Sequence, residues 1–148
     1  MTSRRLLAVA VFAALPLLGA CGSDASTTGP AVTTATKAPA GPITKVSSVD
    51  GQALIQKMGK DLTVIDVRTP SEYAAGHLAN SVNIDLEGGQ FSQRIATLPK
   101  DAAYMVYCHS GRRSAIAAST MATAGFTTIY DLGGIADWQA AGLPIVTG

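Results

Sequence analysis

The residues of this sequence that are best suited to chemistry form one run, Cys108-His109-Ser110-Gly111-Arg112-Arg113-Ser114. The run follows an apolar segment typical of a buried strand and precedes an alanine-rich segment typical of a helix. A glycine-containing turn between a strand and a helix lets successive backbone N–H groups point inward and bind an anion. The start of the following helix adds the positive end of its dipole.

Such a loop would change the chemistry of its cysteine. Arg112 and Arg113 add positive potential, and the hydroxyl groups of Ser110 and Ser114 can donate hydrogen bonds to an anion. This setting favours the thiolate, the nucleophilic form of Cys108. The loop would also stabilise a cysteine persulfide, whose outer sulfur is anionic, and attract an anionic donor such as thiosulfate.

A cysteine at a strand end is also often a plain core residue, since free cysteine is among the most buried residue types. A core cysteine, however, has no need of adjacent glycine, serine and paired arginines. We therefore predict that Cys108 is the catalytic nucleophile. The predicted substrate-binding residues of the loop are His109, Ser110, Gly111, Arg112, Arg113 and Ser114.

The rest of the sequence predicts the elements that position this loop. The predicted strands are Ile43–Val46, Thr63–Val67, Val82–Ile84, Ala103–Tyr107 and Thr127–Leu132. The predicted helices are Val49–Met58, Phe91–Leu98, Ser114–Ala124 and Ile135–Ala141, the first with Val49, Ala53, Leu54 and Met58 on one apolar face. Strands that alternate with helices indicate βαβ units and a mostly parallel sheet covered on both faces. Ligands of such sheets bind at the carboxyl ends of the strands, where Cys108 lies.

Three segments resemble the rhodanese family of single-domain sulfurtransferases. The run from Cys108 to Ser114 is similar to the family's active-site loop, C-x-x-G-x-R-[ST]. Residues 66–84 resemble the motif D-V-R-x-x-x-E-[YF]-x-x-G-H-I-x-G-A-x-N-[IL], with Asn80 where glycine is usual. Residues 132–144 resemble L-x-G-G-x-x-x-W followed by G-x-P. The three segments occur in the family's order and spacing over nearly the whole of residues 43–148.

The resemblance implies a rhodanese-like three-layer α/β fold, with a five-stranded parallel sheet and helices on both faces. It also implies a two-step reaction, in which Cys108 takes sulfane sulfur from a donor and an acceptor then removes it. The acceptor would be a thiol or a cyanide-like nucleophile, and a protein thiol is one possibility. No cofactor is expected.

The resemblance further implies roles for residues outside the loop. Arg68 would lean toward the substrate while Asp66 supports the loop, with an ordinary strand-end ion pair as the alternative for both. His77 and Trp138 are expected to be structural. His109 is expected to shape the pocket rather than move protons, because an already ionised thiolate needs no base.

Three other functions remain open from the sequence alone. Phosphatases and arsenate reductases share this fold family, but their loop is C-x5-R, and the sixth residue after Cys108 is Ser114. A non-catalytic binding or sulfur-relay module would use the same persulfide with a protein acceptor. An envelope redox or stress protein would consume sulfane sulfur or report on it.

Composition limits the partners and the site type. The chain has 148 residues, 47% hydrophobic and 14% charged, which favours one domain. It has no long basic stripe, so nucleic acid is not an expected partner. No histidine, cysteine and carboxylate cluster has metal-ligand spacing, so no metal site is expected.

The N-terminus predicts export and lipidation. Arg4 and Arg5 precede an uncharged run, residues 6–18, which is too short for a comfortable membrane span and typical of a secretory signal. Leu18-Gly19-Ala20-Cys21 resembles the bacterial lipobox, which makes Cys21 the expected lipidation site. An ordinary cleavage after Ala20 is the alternative.

The predicted organisation has three parts. Residues 1–20 are the lipoprotein signal peptide, residues 21–42 a flexible tether rich in small and polar residues, and residues 43–148 the rhodanese-like domain. Removing the signal leaves nine basic and ten acidic side chains, a net charge of −1. The expected location is extracytoplasmic, on the bacterial cell membrane through lipidated Cys21.

Overall fold

A computed structural model describes residues 42–148. The strands are β1 (Ile43–Lys45), β2 (Leu62–Asp66), β3 (Val82–Asn83), β4 (Ala103–Cys108) and β5 (Thr128–Gly134). They form one sheet in the order β1-β5-β4-β2-β3, and every neighbouring pair is parallel. The helices are α1 (Ser48–Met58), α2 (Pro70–Ala75), α3 (Phe91–Ala96), α4 (Arg112–Thr123) and α5 (Ile135–Ala140). The predicted five-stranded parallel sheet is confirmed.

Two hydrophobic clusters cover the two faces of the sheet. The alternation of side chains along β4 sends Tyr104, Val106 and Cys108 into one cluster, which α3 and α4 complete. Met105 and Tyr107 enter the other cluster with Trp138 of α5. Helices therefore lie on both faces, as predicted for this α/β fold. Trp138 is a core residue, and its indole N–H donates to the Pro144 carbonyl at 2.9 Å.

Helix α2 was not predicted, although the sequence contains its signal. Thr69 and Glu72 form a capping box, in which each side chain bonds the other residue's backbone N–H. Pro70 occupies the first helical position, where its missing N–H has no consequence. This short helix lies directly after the carboxyl end of β2.

The predicted apolar face of α1 was right for Leu54 and Met58, which pack against the core, and wrong for Val49 and Ala53, which are exposed. Val49 is 67% exposed, whereas Gly51 is buried and its α-carbon lies against Leu132 of β5. A glycine carries no hydrophobic signal in a sequence pattern, yet it allows the close approach of a helix to a sheet. The face of α1 that packs against the sheet therefore contains Gly51 and not Val49.

The expected signal peptide, tether and Cys21 lipidation site lie outside the described residues, apart from Pro42. Among residues 42–148, no helix is long and apolar enough to cross a membrane.

Candidate active site

Cys108 ends β4 at the carboxyl edge of the sheet, and its side chain is 1% exposed. The backbone N–H of Gly111 donates to Cys108 Sγ at 3.1 Å. Gly111 has a φ of +92°, a left-handed conformation that glycine adopts without strain, and this turns the chain back toward the sulfur. A thiolate accepts such a hydrogen bond more strongly than a thiol does. The loop thus holds an N–H donor against the predicted nucleophile.

Helix α4 begins at Arg112, two residues earlier than predicted, because Gly111 is its N-terminal boundary. Arg112, Arg113 and Ser114 are therefore first-turn helix residues rather than loop residues. Ser114 is fully buried, and its hydroxyl donates to the Gly111 carbonyl at 3.0 Å. This bond ties the helix to the turn, and substrate contact by Ser114 stays a prediction.

The two arginines of the run differ in their surroundings. Arg113 forms two hydrogen bonds to the Glu72 carboxylate, at 2.7 and 2.8 Å, and its side chain is 13% exposed. Arg112 is 74% exposed and lies 3.7 Å from Glu87. Arg113 is thus engaged with α2, whereas Arg112 is largely open to solvent. Substrate contact by either residue stays a prediction.

Arg68 and Asp66 form a buried pair at the end of β2. The Arg68 side chain is 5% exposed, and its Nε and Nη2 atoms bond the Asp66 carboxylate at 2.6 to 3.0 Å. Nη2 also donates to the Gly76 carbonyl at 2.6 Å. Burial disfavours the charge on Arg68, but the hydrogen bonds and charge of Asp66 outweigh it and raise the Arg68 pKa. The pair joins β2 to the end of α2.

A cavity of about 190 Å³ opens beside the loop. Arg68, Glu72 and His109 line its polar side, and His109 is exposed. Ala75, Ile135 and Ile145 supply apolar lining. The residues that line the cavity therefore come from before, within and after the loop in the chain. The buried Arg68 side chain lies on one side of the cavity and apolar side chains on the other.

His77 lies behind this site. Its Nδ1 is 2.9 Å from the Tyr73 carbonyl, and its ring stacks on Tyr73 with centroids 3.7 Å apart. Its backbone pairs with Val146 in an isolated antiparallel bridge. These contacts tie α2 to the C-terminal segment, and His77 does not line the cavity.

Four cavity-lining residues were not predicted to belong to the site: Glu72, Ile135, Gln139 and Ile145. The capping box Thr69-Pro70-Ser71-Glu72 would have placed Glu72 at the start of a helix. No local pattern signals Ile145, because it reaches the cavity through the bridge between Val146 and His77. Among residues 42–148, no group of three or more histidine, cysteine or carboxylate side chains could hold a metal ion.

Residues 50–141 match the family described as the rhodanese-like domain, and these residues include the loop, the Arg68 pair and most of the cavity. The chain belongs to the rhodanese family. The family assignment covers more than half of the chain and agrees with the resemblance of the three sequence motifs.

Several known sulfur-transferring proteins are similar to this chain over most of the described residues. A sulfurtransferase of Allochromatium vinosum is 33% identical over 104 residues, covering 68% of this chain and 95% of that protein. The thiosulfate sulfurtransferase PspE of Escherichia coli is 36% identical over 75 residues, covering 49% and 70%. The solved structure of the polysulfide-sulfur transferase homodimer of Wolinella succinogenes has a TM-score of 0.60 at 31% identity, covering 72% and 80%. These relatives support sulfurtransferase activity in general.

Proposed function

We propose that this rhodanese-family protein moves sulfane sulfur from an anionic donor, such as thiosulfate, to a thiophilic acceptor through a persulfide on Cys108. The observation that carries the proposal is the Gly111 N–H bonded to Cys108 Sγ at 3.1 Å, at the start of α4. An N–H donor and a helix N-terminus both favour a negatively charged sulfur.

The proposed reaction has two displacements. Cys108 thiolate attacks the outer sulfur of thiosulfate, a new S–S bond forms, and the old S–S bond breaks as sulfite leaves with the electron pair. An acceptor thiolate or cyanide then attacks the outer sulfur of the persulfide, and Cys108 leaves as the thiolate. Each step moves one sulfur atom without net oxidation, so no cofactor takes part.

Arg68 gives the proposed site its charge selectivity. Its Nε and Nη2 atoms are bonded to Asp66 and Gly76, whereas Nη1 makes no hydrogen bond within residues 42–148. Arg68 lines the cavity, and we propose that Nη1 binds an anion that enters there. The names of the relatives indicate two such donors, thiosulfate and polysulfide, for those proteins.

Mass spectrometry of the full chain, before and after thiosulfate, tests the proposal. We expect a gain of one sulfur atom on the peptide that contains Cys108, reversed by cyanide and absent from Cys108→Ser. Peptide mapping separates Cys108 from Cys21. An unchanged mass with a free Cys108 thiol, after both thiosulfate and polysulfide, would sink the proposal.

The same preparation distinguishes turnover from relay. Rapid release of the loaded sulfur to cyanide or a small thiol supports a turnover enzyme. A persulfide that forms but transfers only to protein thiols would instead make the chain a sulfur-relay module of the envelope.

We also propose that the chain is anchored outside the cytoplasm by a lipid on Cys21. The sequence support is the basic pair, the apolar run and the lipobox-like Leu18-Gly19-Ala20-Cys21. The full chain expressed in a bacterium should appear in the membrane fraction with an acylated Cys21 at its N-terminus. Cys21→Ala should remain unprocessed, and an unmodified Cys21 on the secreted parent would contradict the anchor.

A further inference from the structure

Strand β5 contains a bulge at the position where it passes the catalytic cysteine. Val106 pairs with Asp131, but Tyr107 pairs with Gly133 and Cys108 with Gly134, so Leu132 has no partner on β4. The carboxylate of Asp131, a residue only 5% exposed, accepts the Gly133 N–H at 3.1 Å inside this bulge. Bulges next to active sites re-aim the residues that follow them. Here the extra residue brings Gly134 opposite Cys108.

Gly134 lies directly beneath the catalytic loop. A Cβ atom built on Gly134 would be 2.6 Å from the His109 carbonyl oxygen and 2.9 Å from the Ser110 α-carbon. Both are backbone atoms, which cannot rotate away as a side-chain end could. The φ and ψ of Gly134, −107° and 138°, are open to any residue. Space, rather than backbone conformation, therefore requires glycine here.

The start of α5 also holds the loop. The Ala136 N–H donates to the His109 carbonyl at 3.3 Å. In a trans peptide the carbonyl and the following N–H point in opposite directions, so the Ser110 N–H points away from α5. It has no backbone or side-chain acceptor within residues 42–148. The next N–H along the chain, that of Gly111, already bonds Cys108 Sγ.

We propose that Gly134, set opposite Cys108 by the Asp131 bulge, is a positioning residue for sulfur transfer. Because Gly134 has no side chain, the backbone of His109 and Ser110 packs closely against β5. In this position the His109 carbonyl accepts a hydrogen bond from α5, and the Ser110 N–H points toward the sulfur that is transferred. This inference rests on the proposed persulfide chemistry of Cys108.

The test compares Gly134→Ala with Gly125→Ala in the full chain. Gly125 has a φ of +93° and no atom within 4 Å of an added Cβ, and it follows the far end of α4. Alanine there strains the backbone and lowers stability without touching the loop. The single-turnover amplitude of sulfur loading reports the fraction of folded protein, and the rate constant reports the geometry of the site.

We expect Gly134→Ala to lower the loading rate constant tenfold or more, and Gly125→Ala to leave it within twofold of the parent. A parental rate constant in folded Gly134→Ala would overturn the proposal.

Asp131 supplies a second pair of variants, since asparagine keeps an oxygen acceptor for the Gly133 N–H and alanine removes it. The loading rate constant of Asp131→Asn should stay within threefold of the parent, and that of Asp131→Ala should be markedly lower. Equal rate constants for the two variants would contradict the role of the bulge in positioning Gly134. This pair decides alone if Gly134→Ala does not fold.

The amide resonances of Ser110 and Gly111 separate this proposal from the proposed function. In Gly134→Ala both should move relative to the parent, whereas in Gly125→Ala neither should. If the parent loads no sulfur from any donor, the persulfide function fails, and the resonances still decide whether Gly134 positions the loop. Unmoved resonances in Gly134→Ala would overturn the positioning role by themselves.

Discussion

Arg113 and Glu72 form a bidentate ion pair that joins the first turn of α4 to the first turn of α2. The two residues are 41 positions apart in the chain. The hydrogen bonds to Arg113 lower the Glu72 pKa to about 2, and the same bonds raise the Arg113 pKa. Glu72 also lines the cavity beside His109. The pair therefore holds one wall of the cavity against the helix that follows the Cys108 loop.

Removing the Glu72 charge should destabilise the protein. Glu72→Gln removes the negative charge and one of the two acceptor oxygens of a partly buried pair. We expect the free energy of unfolding to fall by about 1–2 kcal/mol after allowance for solvent screening. Glu87→Gln is the matched control, because Glu87 is 54% exposed and 3.4 Å or more from either arginine. Its loss should stay below about 0.5 kcal/mol. Urea unfolding at pH 7 measures the loss of stability in both variants. Equal losses would contradict a stabilising role for the Arg113–Glu72 pair.

The contribution of Glu72 should depend on pH. Its folded-state pKa of about 2 lies below its ordinary value of 4.5, so the ionised form stabilises the fold. That stability is fully present above pH 4.5 and is lost as the pH falls toward 2. The difference in unfolding free energy between the parent and Glu72→Gln should therefore be constant at neutral pH and shrink below pH 4.5. A difference that persists undiminished at pH 2 would refute this account.

Arg68 should have separable effects on stability and on donor binding. Arg68→Ala leaves Asp66 buried without its partner, and we expect a loss of about 3–5 kcal/mol in the free energy of unfolding. Arg68→Lys keeps a positive charge but cannot form the fork that leaves Nη1 for an anion. It should lose less stability and raise the KM for thiosulfate about tenfold, roughly 1.4 kcal/mol. Steady-state kinetics check this, and an unchanged KM would remove Arg68 from donor binding.

His109 should affect sulfur loading only slightly. The side chain is exposed and lines the cavity, and attack by a thiolate needs no base. We expect His109→Ala to keep the loading rate constant within about threefold, with the same pH dependence from pH 6 to 8. Single-turnover loading followed by mass spectrometry measures it. A loss of about a hundredfold would show general acid or base catalysis instead.

Local patterns were enough to predict much of the fold. The apolar segment before Cys108 and the alternation of strands with helices gave the parallel sheet and placed the cysteine at a strand end. The same patterns failed where a residue has no hydrophobic signal. Buried Gly51 therefore escaped detection while Val49, which is exposed, was placed inside.

The boundaries of the loop were harder to predict than its existence. The run from Cys108 to Ser114 identified a cysteine beside a glycine turn, but the left-handed conformation of Gly111 ends the loop early and starts α4 at Arg112. Arg113 consequently lies on a helix, where it contacts Glu72. The residue at which α4 begins therefore decides that Arg113 contacts Glu72.

The sequence by itself predicted a cysteine at the end of β4, the alternation of strands with helices and the family, because each of these is encoded in residue types at short spacing. Only the tertiary structure decided that Arg113 pairs with Glu72 and that Gly134 faces Cys108. These relationships join segments far apart in the chain. They depend on how the sheet stacks its strands and on where one bulge shifts the register, and no local pattern records either.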